Sequence, residues 1–434
     1  MAKAHAANKP DREGAAVATT PACGAVVGRR AADRLRGGHL WVYASEVESI
    51  ILPRDAEALP ALLPVADGRG ILLGTALYSP ASQIALRMIS HGAIDERQWL
   101  DLLELRLRKA IERRKPLLDE ENDACRLCFS EADELPGVIA DKYGPIVILQ
   151  LLTKGLLTAG VRERCVSAIR DEVKPKAIWE RPDPRVRELE GLAAPAAGAL
   201  WHAGKGKPLE STEFRLNGLV FHYDANAGQK TGAFLDQRAN YTAAREWARR
   251  LGKTTRALDV CCYQGGFALH LAQVCRAVTG IDASRASLEV AERNLEANRS
   301  RVKGEGIRAE VDWVEGDAFA VLRDWSEAAE RFDAIVLDPP AFAKTRRAVE
   351  GALRGYKELN LRALKMLSSG GLLVTCSCSH HVGWADLEAA VAAAASDAGR
   401  RVRLLERRGA APDHPIVINL PETEYLKCLV LEAE

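Results

Sequence analysis

From about residue 254 onward the chain alternates short apolar runs with amphipathic segments, and four of the apolar runs carry or lead into an aspartate. Residues 256–261, 277–281, 309–314, 333–337 and 372–377 read as strands. Between the second and third, Leu288, Ala291 and Leu295 fall on one helix face, with Glu292 and Glu296 on the other. This alternation predicts a doubly wound, mainly parallel α/β sheet of Rossmann-like type. Such sheets bind ligands outside the carboxyl ends of their strands, so those ends are where chemistry is expected.

The first strand holds Asp259 and runs into Cys261-Cys262-Tyr263-Gln264-Gly265-Gly266, whose glycines would let backbone pass close to a cofactor. The second ends at Asp282, 23 residues after Asp259, where an acidic side chain suits a ribose diol. The six-residue glycine fingerprint of dinucleotide enzymes is absent. Ribose recognition without a pyrophosphate cradle points to S-adenosylmethionine rather than to a nicotinamide cofactor. The third strand leads to Asp317, which could accept from an adenine amino group. The fourth ends in Asp338-Pro339-Pro340, a turn made rigid by its prolines. Any one such aspartate is commonly no more than a helix N-cap. Four at successive strand ends point to a ligand.

The fifth strand ends in Thr375-Cys376-Ser377-Cys378-Ser379. Strand alternation puts both cysteines on one face, with Cys378 nearer the ligand end. Buried cysteines usually act as small apolar residues, which suits Cys165, Cys275 and Cys261 and can describe Cys376. Cys378 follows the apolar part of the strand, beside His380 and His381, where a reactive thiolate is also open. A thiolate together with a methyl donor suggests methylation at carbon 5 of a pyrimidine. That carbon is a poor nucleophile until a thiolate adds at carbon 6. Asp338 could then hydrogen-bond N3 or the cytosine amino group and stabilise the adduct.

The length of 434 residues allows two to four domains, and 47% hydrophobic with 27% charged residues excludes disordered, collagenous and fibrous classes. No run approaches the length of a membrane-spanning helix, so no membrane partner is expected. Ten irregularly spaced cysteines suit a reducing, cytoplasmic setting. Cys125 and Cys128 lack further ligands at zinc spacing, so no metal site is expected. Residues 1–23 have no secretory apolar core and read as a disordered tail; 24–95 read as a small β-rich module. Residues 96–225 read as a linking helix, carrying Leu103, Leu107 and Ile111, and a central mixed α/β domain with an Ala, Gly and Pro-rich loop at 191–208. The parallel-sheet domain takes 226–434. The net charge of +1 averages basic stretches at 24–40 and 341–365, the latter with seven Lys or Arg against two Glu. Either stretch could face RNA phosphates or be a solvated helix face.

Taken together, Asp338-Pro339-Pro340, Arg354-Gly355-Tyr356-Lys357-Glu358-Leu359-Asn360 and Thr375-Cys376-Ser377-Cys378-Ser379 resemble the bacterial 23S ribosomal RNA cytosine-C5 methyltransferases that carry an N-terminal PUA domain. Lys230-Thr231-Gly232-Ala233-Phe234-Leu235-Asp236-Gln237-Arg238, Asp133-Glu134-Leu135-Pro136-Gly137 and Gly37-Gly38-His39-Leu40-Trp41 extend the likeness to nearly the whole chain. The resemblance implies a PUA module at 24–95, a central domain and a class I methyltransferase domain with a mainly parallel seven-stranded sheet. It implies S-adenosylmethionine as cofactor and RNA, not DNA, as partner. By position it makes Cys378 the nucleophile and surrounds the cofactor with Gln237, Arg238, Tyr263, Gly265, Asp282, Asp317 and Asp338. The chain departs from the family at Cys376, where an aromatic residue is usual, and at Cys261, Cys262 and Gln264. Two other readings remain: methylation of a base amino nitrogen, disfavoured because Ala341 separates the Pro-Pro turn from Phe342, and a non-catalytic RNA-binding factor on the same fold.

Overall fold

The computed structural model describes residues 23–52, 61–193, 198–226, 231–299 and 306–434. The expected tail therefore lies, apart from Cys23, outside the described residues. The chain forms two compact units, one ending at Glu96 and the other running from Arg97 to Glu434.

The first unit holds β1 (Gly24–Val27), α1 (Arg29–Arg36), β2 (Trp41–Tyr43), β3 (Val47–Ile51), β4 (Leu62–Asp67), β5 (Leu72–Tyr78) and β6 (Ile84–Ser90). Its strands make one sheet in the order β2-β6-β5-β4-β1-β3. Ala31, Ala32 and Leu35 of α1 pack with Val27, Val42, Val65 and Leu86 to form its core. The basic residues of α1 are largely engaged nearby. Arg34 pairs with Glu46 at 2.6 Å, Arg36 with Asp67 at 2.5 Å, and Arg29 lies 3.8 Å from Asp33.

All but the first residue of α2 (Glu96–Arg114) belongs to the second unit, followed by β7 (Ala124–Phe129), β8 (Val138–Tyr143), β9 (Ile146–Leu151), α3 (Ala159–Val173), β10 (Ala177–Glu180), α4 (Pro184–Leu189) and β11 (Gly198–His202). These strands form a sheet in the order β11-β10-β9-β8-β7. The segment expected as a loop at 191–208 thus contains β11. Its alanines and glycine carry no strand signal, and pairing with β10, from Ala177↔His202 to Glu180↔Gly198, supplies the order. Arg114, the last residue of α2, is buried. It grips Asp133 through two 2.7 Å bonds and donates to Asp413 O at 3.1 Å.

A hairpin of β12 (Ser211–Leu216) and β13 (Leu219–Asp224) follows. Next come α5 (Arg238–Arg250), β14 (Arg256–Val260), α6 (Gly266–Leu271), β15 (Ala277–Asp282), α7 (Arg285–Arg299), β16 (Glu310–Glu315), α8 (Ala318–Glu327) and β17 (Phe332–Leu337). The chain ends with α9 (Val349–Met366), β18 (Leu367–Ser377), α10 (Trp384–Asp397), β19 (Val402–Arg408) and β20 (Lys427–Ala433).

These strands make the seven-stranded sheet, ordered β16-β15-β14-β17-β18-β20-β19. β14 to β18 are parallel and β20 runs antiparallel between β18 and β19. Alternate residues of the central strands face opposite layers. Ala334, Val336, Leu372 and Val374 join one core with Tyr241 and Phe267, while Ile335, Leu337 and Leu373 join another with Leu359, Leu364 and Val391. Burial on both faces explains why these strands read as unbroken apolar runs. The first of these cores also takes in Tyr143, Phe214 and Tyr223, so the central sheet and the parallel sheet share one interior. No described helix is long and apolar enough to cross a membrane.

Candidate active site

The strand order reverses between β14, which leads on to β15, and β17, so the crevice at their carboxyl ends is the expected binding position. The turn after β14 passes through left-handed backbone at Cys261 (φ 63°), Tyr263 (φ 51°) and Gly265 (φ 85°). Two non-glycine residues in that region store strain of the kind that clusters at functional sites. Gly265 has no alternative there, because an added Cβ would sit 2.9 Å from the Trp313 ring.

Asp282 holds this turn in place. Its Oδ2 accepts from Tyr263 N at 2.9 Å and its Oδ1 from Ser284 N at 2.8 Å. Each oxygen retains a lone pair for a further donor. The Tyr263 hydroxyl donates to Gly232 O at 2.7 Å, tying the turn to the segment before α5. Asp317 is exposed and caps α8 by accepting from Ala320 N at 3.0 Å through Oδ1.

Asp259 is fully buried, accepts from Ala268 N at 2.8 Å through Oδ2, and has no hydrogen-bond partner for Oδ1 among the described residues. Burial, opposed by the Ala268 bond and assisted by the charges of Asp338 and Asp282, pushes its carboxyl well above the usual range. Cys261 lies where all four strand-end aspartates act. Burial raises its thiol first, then Asp338, Asp282, Asp259 and Asp317. The carboxylates of Asp282, Asp317 and Asp338 around one turn create a field that favours a cationic ligand. A cleft lined by Asp259, Cys261, Tyr263, Gln264, Phe234 and Asp338 opens there.

Asp338 is reached from the other side by Gln237, whose Nε2 donates to Oδ1 at 2.9 Å. Gln237 is itself held by Asn240, which donates to Oε1 at 2.7 Å. Arg238, the next residue, turns away. Its guanidinium donates to Ala124 O at 3.3 Å and lies 3.7 Å from Asp413, so its charge joins the central sheet to the β19–β20 loop.

Cys378 is half-buried just beyond β18, its Sγ 4.0 Å from Pro339 O of the Asp-Pro-Pro turn. The structure thus brings Asp338 and Cys378 to neighbouring turns. Tyr356 of α9 receives a bond from Ser377 Oγ at 2.9 Å and meets Ser379 Oγ at 3.1 Å, fixing the residues on both sides of the thiol. Cys376 is fully buried opposite Cys428, and its bond to that thiol together with burial keeps it protonated. Cys125 and Cys128 are buried in β7, and among the described residues no group of three or more metal-ligating side chains occurs.

Several site residues carried no sequence signal of their own. Tyr425 donates to Asp236 Oδ2 at 2.6 Å, and its ring lies 5.7 Å from that of His380. Lys427, also buried, donates to Ser379 O at 2.8 Å. Both lie nearly fifty residues beyond Cys378 in the sequence, and only the antiparallel return of β20 brings them alongside.

A family model described as S-adenosylmethionine-dependent methyltransferase matches residues 168–430. The chain belongs to that family. Residues 26–91 match a second family described as a PUA-like domain. Among relatives of this methyltransferase is the ribosomal RNA large subunit methyltransferase I of Pseudoalteromonas translucida, 36% identical over 91% of this chain and 96% of its own length. That of Cronobacter sakazakii is 34% identical over 90% and 94%. Two solved structures share the fold. A proposed SAM-dependent methyltransferase from Streptococcus mutans has a TM-score of 0.75 at 19% identity, covering 94% of this chain and 99% of that one. A proposed methyltransferase complexed with SAH has a TM-score of 0.76 with the same identity and coverage.

S-adenosylmethionine is the cofactor of the family, and the crevice of this chain fits it. The orphaned oxygen of Asp259 and the converging carboxylates suit a ligand that carries a cationic sulfonium and ammonium, and Asp282 suits its ribose.

Proposed function

We propose that this protein methylates carbon 5 of a cytosine in the 23S RNA of the large ribosomal subunit, through a covalent adduct between Cys378 and carbon 6. The observation that carries this reading is the placement of the Cys378 thiol 4.0 Å from Pro339 O, one turn from the Asp338 carboxylate at the cofactor crevice. The cofactor, when bound, supplies an electrophilic methyl group. Cys378, as thiolate, adds to carbon 6 and forms a carbon–sulfur bond, which shifts electron density to carbon 5. Asp338, held by Gln237, accepts from the cytosine amino group and orients the ring. After carbon 5 is methylated, a general base takes its proton, the electron pair of that bond re-forms the carbon 5–carbon 6 double bond, and the carbon–sulfur bond breaks to restore the thiolate.

Gln237, Tyr263, Gly265, Asp282 and Asp317 line or shape the cofactor side in this reading, and Arg238 supports it from behind. Phe342 favours carbon over nitrogen as acceptor. Its ring packs 4.9 Å from Tyr356 and 5.9 Å from Phe319, so it is spent on the core rather than presented to a base. The names of the relatives and the PUA-like module support RNA as the partner. So does charge. In the 341–365 stretch, Arg354, Lys357 and Arg362 pair with Glu350, Asp397 and Glu358, whereas exposed Lys344, Arg346 and Arg347 have no acidic partner among the described residues. These three follow directly on the Asp-Pro-Pro turn and suit RNA phosphates.

Tritium release from C5-labelled cytosine in 23S RNA tests the reading. Release that requires both S-adenosylmethionine and Cys378 is expected. Methyl incorporation without release would move the acceptor to a nitrogen.

A further inference from the structure

Lys427 opens β20 and stands opposite Ser377 of β18 in the antiparallel register. Only 3% of it is exposed. A lysine this deeply buried ordinarily has an acidic partner, because an unpaired charge is costly to take out of water. Lys427 has no carboxylate within ion-pair distance among the described residues. Its Nζ donates instead to two backbone carbonyls, Ser379 O and Tyr425 O, each at 2.8 Å. An ammonium has three N–H bonds, and the third finds no acceptor among the described residues. One of the two carbonyls belongs to the residue directly after Cys378.

We propose that Lys427 is a positioning residue whose buried ammonium is the counter-ion that holds Cys378 as a thiolate. The proposal rests on reading Cys378 as the nucleophile. Burial pulls the lysine below its ordinary value, and among the groups that oppose that shift and favour the charge Cys378 comes ahead of Glu424 and Asp386. The phenols, the carboxylates and Arg126 nearby do not take this role. Tyr356 from α9 and Tyr425 have phenols pushed above their ordinary value, first by burial, so both are neutral and add no positive charge. Asp338, on the turn beside Pro339, is acidic and opposes a thiolate, as do Glu424 and Asp386 behind the lysine. His380 packs against the Tyr425 ring. Arg126 is committed to Asp141 through bonds of 2.8 Å at both oxygens.

The experiment is the pH dependence of iodoacetamide alkylation at Cys378, followed by peptide-resolved mass spectrometry on the full chain without RNA. In the unsubstituted protein the midpoint is expected below the ordinary thiol value of about 8.5. Lys427→Met is expected to raise it by about one unit or more, which slows alkylation at neutral pH by about tenfold. Lys427→Arg keeps the charge and is expected to keep the low midpoint. A midpoint at or above the ordinary value in the unsubstituted protein overturns the proposal even if Lys427→Met does not fold. An unchanged midpoint in a folded Lys427→Met protein overturns it too. Alkylation needs no methyl transfer, so a low midpoint alongside full activity in Cys378→Ala would sink the nucleophile reading and leave the lysine's effect standing.

Discussion

The two halves of the crevice are built in different ways. On the cofactor side, formed by the ends of β14, β15 and β16, each carboxylate is held by backbone amides close in sequence or on the next strand: Asp259 by Ala268, Asp282 by Tyr263 and Ser284, Asp317 by Ala320. On the side proposed for the acceptor base, formed by β17, β18 and β20, the contacts come from side chains far away in the chain. Gln237 reaches Asp338 across 101 positions, and Lys427 reaches Ser379 across 48. Local capping makes a negative, self-contained cradle, while long-range pairing gathers a lysine and two phenols around the segment that carries the thiol. The comparison teaches that damage should separate cleanly: binding of the cofactor on one side, chemistry on the other.

The strongest test of that separation is Cys378→Ala. Methyl transfer should fall by at least about a thousandfold while calorimetric affinity for S-adenosylmethionine is unchanged. Cys376→Ala, two residues earlier on the same face, should keep most activity. Equal losses in both would break the division by bringing the buried thiol into the chemistry.

The cofactor side should also be the acid-sensitive one. His270 of α6 is fully buried, donates from Nδ1 to Gly266 O at 2.7 Å and lies 3.0 Å from Asn217 Nδ2 through Nε2. Burial depresses it from 6.5 to about 4. The unfolded chain therefore takes up the proton first as pH falls. Stability from this group is complete above about pH 6.5 and declines toward pH 4, by on the order of 3 kcal/mol. Denaturant unfolding across that range should show the decline, and His270→Gln should flatten it.

A smaller effect is expected at Asp282→Ala. It removes charged hydrogen bonds and should weaken S-adenosylmethionine binding by about ten- to a hundredfold, with Cys378 alkylation unaltered. Loss of alkylation as well would show that the two sides are mechanically coupled. The mildest change is the double replacement of Arg346 and Arg347 by Ala. RNA affinity should drop several-fold, with a shallower salt dependence and no change in cofactor affinity. An unchanged salt slope would remove this loop from the RNA surface.

Much of the cofactor side was legible in the sequence. The acidic strand ends and the Gly265-Gly266 turn announce themselves because parallel strands buried on both faces read as apolar runs with abrupt polar ends. Even there the sequence left open what each aspartate does, and Asp317 turns out to cap α8 as well. Arg238 belongs to the same motif as Gln237, yet its guanidinium faces Ala124 and Asp413. The direction of a long side chain depends on what packs around it.

The chain's alternation of apolar runs and amphipathic helices by itself determined a doubly wound sheet and the positions of its strand ends, because period and burial are local properties written residue by residue. It also singled out Cys378 as a candidate. Only the tertiary structure decided which distant groups meet the residues on either side of that thiol. β20 returns antiparallel beside β18 and carries Lys427 and Tyr425 alongside the end of that strand, and α9 delivers Tyr356 to Ser379. Strand order and register arise from the packing of the whole sheet, and no short stretch of sequence encodes them.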